Sequence, residues 1–239
     1  MVLFGDDKQL SNEDLKITLS SAQNQALRRQ ADLDPLDPAG LFDEMRASLL
    51  ELVAHRQQAQ VMLDEHFRCR PEIVAFSNRQ FYGNTLLIVR DKEDSWGVGP
   101  PILIRQVEDA PAMGKSKINH AEADALIADL AVRLRDPLYS GMSFGVLSLF
   151  RDQIEYIRDR VASEIPRALA DEHRLICATV DGFQGDERDV IYYSWRFGRD
   201  TSPSIFSFTQ GATGSQRVNV ALTRARHQMI HFISRPVNE

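Results

Sequence analysis

Hydrophobic and polar positions fall into two periods along this chain, and the two alternate. Short runs of branched and aromatic residues at Thr85–Arg90, Ile102–Val107, Phe144–Leu149, Leu175–Val180, Val190–Tyr193 and Met229–Ser234 have the length and composition of strands. Between them apolar residues recur every three or four positions: across Ala121–Leu134, at Ile154, Ile157 and Val161 as far as Pro166, and at Val218, Ala221, Leu222 and Ala225. That spacing places a stripe on one side of a helix. Asn119 followed three positions later by Glu122 predicts a capping box, the Asn side chain accepting a bond and Glu122 returning one. The last stripe predicts a packed helix carrying Arg217, Arg224 and Arg226, with Arg217 and Arg224 two turns apart on roughly one side. Strands alternating with helices across residues 60–239 predict an α/β fold, a mostly parallel sheet with helices on both faces.

The first part of the chain reads differently. Met1–Phe4 is a short apolar run entering the polar turn Gly5-Asp6-Asp7-Lys8-Gln9-Leu10. Residues 11–58 are polar and helix-prone, broken by the turn Asp34-Pro35-Leu36-Asp37-Pro38, after which Leu41, Phe42, Met45, Leu49, Leu50, Leu52 and Val53 give an amphipathic helix. The chain has no internal repeat.

Composition narrows the classes. At 239 residues the chain is long enough for one large or two small domains. Hydrophobic residues at 43% and charged residues at 26% are ordinary for a soluble globular protein. No apolar run has the length of a membrane span, and the N-terminus lacks a basic-then-apolar signal pattern. The two cysteines, Cys69 and Cys177, stand far apart and lack zinc-ligand spacing, which suits a reducing, cytoplasmic setting. A net charge of −6 argues against a polybasic binder, but not against a groove with a local positive lining. His66 with Cys69 has no second pair to complete a metal site, and His227 and His231, four apart in an expected strand, are not stacked as metal ligands would be on a helix.

The candidate chemistry concentrates in two segments. Thr179-Val180-Asp181-Gly182-Phe183-Gln184-Gly185-Asp186-Glu187-Arg188-Asp189 is a glycine-bearing polar loop between two strands. Arg217-Val218-Asn219-Val220-Ala221-Leu222-Thr223-Arg224-Ala225-Arg226 follows about thirty positions later. A guanidinium is a permanent charge with a fixed fork of donors, which suits charge developing on a transferred phosphoryl group.

Both segments resemble motifs V and VI of superfamily 1B helicases, in the branch that includes the nonsense-mediated-decay helicase: "VDxFQGxExD" and "RxNVALTRAR". The resemblance extends to three further segments. Gly5–Leu10 is similar to motif III, "GDxxQL", whose glutamine here is Gln9. Phe67-Arg68-Cys69-Arg70-Pro71 is similar to "YRMHP", keeping the arginine as Arg68 while Arg70 replaces the histidine. Phe144–Gln153 is similar to "GIITPYxxQ", with Ser148 standing for the threonine, Leu149 for the proline and Phe150 for the tyrosine.

The resemblance implies a RecA-like fold and the following layout: residues 1–10 as the end of a first RecA-like domain, 11–58 as a helical connector, and 59–239 as the second RecA-like domain. It implies an ATP-dependent helicase or translocase on single-stranded DNA or RNA, moving 5′ to 3′. Arg68 and Arg224 would be arginine fingers, assisted by Gln9. Gly185, Glu187 and Arg217 would meet the nucleotide, Glu187 at its ribose. Ser148 and Thr179 would contact strand phosphates, with Asp181 capping its own loop or joining the site. The lysine loop, the magnesium-binding carboxylates and the water-orienting acid belong before motif III in the family, so this chain alone is expected to form half an ATP site and to be inactive. An alternative is a standalone, non-catalytic module binding nucleic acid or protein. Asp109-Ala110-Pro111-Ala112-Met113-Gly114-Lys115-Ser116 imitates a phosphate loop, but Asp109 occupies the place of its first glycine and Pro111 removes a backbone donor.

Overall fold

A computed structural model describes residues 6, 8, 9, 63–90, 98–108, 118–198, 201 and 209–234, excepting the side chains of residues 212 and 213. The chain divides into two compact units, 1–63 and 64–239. In the first, the Asp6 carboxylate accepts from Lys8 N at 2.9 Å and from Gln9 Nε2 at 2.8 Å, closing the polar turn. The expected connector helix and the Gly114-Lys115-Ser116 segment lie outside the described residues.

The second unit is built on a five-stranded, all-parallel sheet. In chain order the described elements are β1 (Glu65–His66), α1 (Pro71–Phe81), β2 (Leu87–Ile88), β3 (Ile102–Gln106), α2 (His120–Arg133), β4 (Phe144–Ser148), α3 (Arg151–Glu164), α4 (Arg167–Glu172), β5 (Ile176–Thr179), β6 (Arg188–Ser194), α5 (Gly211–Leu222) and β7 (Ala225–Ile233). The large sheet runs β3-β7-β6-β4-β5, and β1 and β2 form a separate parallel pair. Alternation along the strands divides the core. Phe144, Val146, Val190, Tyr192, Ile230 and Phe232 pack with Leu126 and Leu130 of α2 and Ile154 and Ile157 of α3. The intervening positions, among them Leu147, Ile191, Tyr193 and Met229, are buried towards the opposite face. There α1 and α5 pack on each other. The architecture is the expected α/β one, with helices on both faces of a parallel sheet. Among the described residues no helix is long and apolar enough to cross a membrane.

Two local expectations change. The predicted arginine helix stops at Leu222, because Thr223 Oγ1 turns back to Asn219 O at 2.9 Å and the chain enters β7 at Ala225. Arg224 therefore sits in a tight turn and Arg226 in a strand, and neither projects from the helix beside Arg217. The capping box is half formed: Asn119 Oδ1 accepts from Glu122 N at 3.0 Å, while Asn119 N donates to Gln153 Oε1 at 2.8 Å and Glu122 turns inward.

The connection from β5 to β6 passes from one end of the sheet to the other, because β5 and β6 are parallel neighbours on either side of β4. It does so over Gly145, in a run of tight turns that includes the 3₁₀ turn Asp181–Phe183. A Cβ on Gly145 would stand 2.7 Å from Ile191 Cδ1, 3.2 Å from Phe183 Cζ and 3.3 Å from Arg188 Cγ. The missing side chain is what lets the fully buried Phe183 ring lie against the sheet. Gly145→Ala is expected to cost about 1–2 kcal/mol by overpacking, read as a lower urea midpoint with an unchanged denaturant slope; an unchanged or higher midpoint would show that the ring yields freely.

Candidate functional site

The starting ends of β6 and β7 carry one cluster. Parallel pairing sets Arg188 beside Ala225, so Glu187 lies next to the turn holding Arg224 and Arg226. The register then shifts, Val190 pairing with Gln228, which gives β7 one extra residue at this end. Such an irregularity re-aims side chains. Here Arg226 reaches outward to Glu187, with Nε 2.9 Å from Oε1, and to Asp189 Oδ1 at 3.5 Å, while His227 is buried.

Arg68 enters from the segment between β1 and α1. Arg70 N donates to Arg226 O at 3.1 Å, docking the start of α1 on β7. Arg68 Nε bonds Glu187 Oε2, and its Nη1 lies 3.4 Å from Thr223 O. Glu187 is thus shared between Arg68 and Arg226. Its partial burial would raise the carboxyl pKa, but the Arg226 bond and the Arg68 and Arg226 charges outweigh that and hold it below the usual range. Arg224 is only 1% exposed; its Nε is 3.2 Å from Val220 O and its Nη1 3.3 Å from Asp186 O. Burial and then the Arg68 charge lower its pKa, a sign of two neighbouring cations at one place.

The arginines expected as fingers therefore meet adjacent residues, Arg68 at the Glu187 carboxylate and Arg224 at the Asp186 carbonyl. Gly185, just before them, adopts φ +84°, and among the described residues other than its chain neighbours no heavy atom lies within 4 Å of where a Cβ would be. Arg217 lies further along α5 and bonds Asp181 Oδ1 at 3.1 Å, tying the helix to the β5–β6 connection. Gln9 belongs to the first unit, where its amide is bonded to Asp6.

Two members of the cluster were not singled out in the sequence: Arg90, which had no signal in the spacing, and Cys69, which lies inside a matched segment. Arg90 Nη1 donates to Arg226 O at 2.8 Å and to Arg68 O, and its Nη2 is 3.0 Å from His227 Nδ1. It staples together the two backbone segments that carry the expected fingers. Cys69, where the family has methionine, places its Sγ 3.4 Å from Thr223 O, and burial pushes the thiol up to about 12, so it stays protonated.

The finishing ends of the strands carry a second cluster. Ser148 is fully buried at the end of β4, its Oγ accepting from Phe150 N at 3.3 Å. Thr179, paired with it across the ladder, has its Oγ1 accepting from Gly182 N at 3.2 Å. Beside them a buried polar network joins the ends of two strands, β6 and β7, to α2 and α3. Glu122 Oε1 accepts from Ser194 Oγ at 2.6 Å and Arg196 N at 2.8 Å, Oε2 accepts from Ser234 Oγ at 3.0 Å, and Gln153 Nε2 donates to Ser194 Oγ and to Asn119 O, each at 3.1 Å. Desolvation raises the Glu122 carboxyl to about 7, with the three donors pulling against it. Among the described residues no group of three or more His, Cys, Asp or Glu could hold a metal.

Residues 45–235 match a protein family described as an AAA domain. The chain is 26% identical over 244 residues to the uncharacterized ATP-dependent helicase MG140 of Mycoplasma genitalium, covering 97% of this chain and 21% of that protein. It is 25% identical over 185 residues to helicase sen1 of Schizosaccharomyces pombe, covering 71% of this chain and 10% of that one. The chain thus spans about a fifth of the length of the first relative and a tenth of the second. A solved structure, the C-terminal domain of a possible DNA helicase from Lactobacillus plantarum WCFS1, is 12% identical with a TM-score of 0.40, covering 70% of this chain and 88% of that one.

The Glu122 network predicts a pH effect. Its folded pKa, about 7, lies above the ordinary carboxyl value of 4.5, so protonation favours the native state. The contribution is complete below about pH 4.5 and is lost as pH rises through about 7. In urea titrations, the stability of wild type relative to Glu122→Gln is expected to fall across that window; a pH-independent difference would refute the assignment.

Proposed function

We propose, on the premise that the chain belongs to the AAA domain family and has the fold of the second RecA-like domain of the superfamily 1 helicases, that it supplies the arginine half of an ATP site in an ATP-dependent helicase or translocase. The observation that carries the reading is the convergence of Arg68 and Arg224 on neighbouring residues, Arg68 on the Glu187 carboxylate and Arg224 on the Asp186 carbonyl. Both guanidinium groups lie at one end of the sheet, and the Asp186–Glu187 segment between them follows a glycine with open space above it.

The residues suit a triphosphate. Glu187 already serves Arg226, so an incoming phosphoryl oxygen competes with it for Arg68 alone. Arg224 is oriented by backbone carbonyls and packed against the sheet, so little freedom is lost when it meets charge. The Gly185 N–H is accessible to a phosphate oxygen, and Glu187 is placed to accept from a ribose hydroxyl. Bound ATP would supply the phosphoryl group whose developing negative charge these residues stabilise. The lysine loop and Mg²⁺ coordination would come from another RecA-like domain. At the finishing ends of the strands, Thr179 and the backbone donors around it line the surface proposed for single-stranded DNA or RNA, while the buried Ser148 acts from beneath by holding the Phe150 N–H.

Nucleotide binding to the chain, measured with a fluorescent ATP analogue, tests the reading. Arg68→Ala is expected to weaken it about tenfold, the loss of one charge-assisted bond. Arg224→Lys should weaken it similarly while sparing the fold better than alanine. The chain alone is expected to give no ATP turnover with a single strand present. Strand-stimulated turnover would overturn the half-site, and unchanged affinity in both variants would overturn the finger roles.

A further inference from the structure

We propose that Arg196 contacts a backbone phosphate of a single strand, held beforehand against Phe150 at the first turn of α3; this rests on the strand reading of the same sheet end. Arg196 lies two residues beyond β6 and takes φ +62°, a left-handed conformation uncommon for arginine. Its N–H is fixed on Glu122 Oε1 at 2.8 Å, so the buried network sets this backbone turn. The side chain is only 7% exposed, yet among the described residues its Nε has no hydrogen-bond acceptor. Its guanidinium carbon stands 4.3 Å from the centroid of the Phe150 ring.

A buried donor left without an acceptor is unfavourable, and an anion that supplies one removes the deficit. The surroundings point to the anion. Ser194 pairs with Ser148, and Ser148 with Thr179, so Arg196 continues the same line of strand ends. Phe150, whose N–H is held by Ser148 Oγ, is the N-cap of α3, a helix of 14 residues, and its own apolar side chain offers that helix no capping acceptor. The N–H groups of the first turn after it favour negative charge. An aromatic face holds the guanidinium without consuming its donors, which leaves them for phosphate oxygens. Asp152, in that first turn, is the acidic competitor. The matching ligand chemistry is a phosphate oxyanion, from a nucleic-acid backbone or from free phosphate.

The test uses the full chain, Arg196→Gln and Asp152→Asn, with a labelled single-stranded oligothymidylate followed by fluorescence anisotropy across a salt series. A parallel titration uses inorganic phosphate at constant ionic strength. Arg196→Gln is expected to weaken strand binding about tenfold and to lower the salt slope by about 0.7, one phosphate contact. Asp152→Asn, an exposed change, is expected to tighten binding, and it decides the matter if Arg196→Gln alters the circular dichroism spectrum. Wild-type binding that neither variant changes overturns the Arg196 contact and leaves the strand surface standing. Phosphate binding that depends on Arg196, without strand binding, overturns the strand assignment. Binding of neither overturns both.

Discussion

Arg188 pairs with Ala225 in the parallel ladder of β6 and β7, and that register brings together the groups at the starting end of the sheet. It sets the carboxylate before β6 against the arginines before and within β7. The extra residue that β7 accommodates there separates Arg226 from His227. Arg226 goes outward to Glu187, and His227 inward to Arg90 and Asp189. Cations crowded this closely are tolerable because each is held by a carboxylate or by carbonyl oxygens. A shift of one residue in the ladder would send each side chain to the wrong face.

The opposite end of the sheet is organised by an acid. Glu122 gathers Ser194, Ser234 and the Arg196 backbone, joining the ends of β6 and β7 to the start of α2, while Gln153 extends the network to α3. Buried polar groups are costly unless satisfied, and this set is mutually satisfied apart from the Arg196 Nε. One end of the sheet is therefore a field of arginines around shared acids. The other is a rigid polar seam with a cation beside it.

Much of this was legible in the sequence, for identifiable reasons. Ile154, Ile157 and Val161 predicted α3, and the branched runs predicted β4 to β6, because burial enforces periodicity. The motif spacing named Arg68, Arg224 and Glu187, which the fold brings into one cluster. Periodicity failed at Leu222, where Ala225 continued a helical stripe by coincidence and the Thr223 hydroxyl ended the helix. Glu122 was read as a local cap because its long-range partners are 72 and 112 positions away. Arg90 carried no signal, since its role is to hold carbonyl oxygens that any sequence would supply.

Phe183 lies midway along the link between the two ends, seated where Gly145 leaves room. On one side of the ring the chain leaves Thr179; on the other it arrives at Glu187. A strap pinned at its centre has both ends on opposite sides of one pivot. Unseating that single ring would slacken the link towards the proposed strand surface and the link towards the arginines together, so neither region can loosen by this route alone.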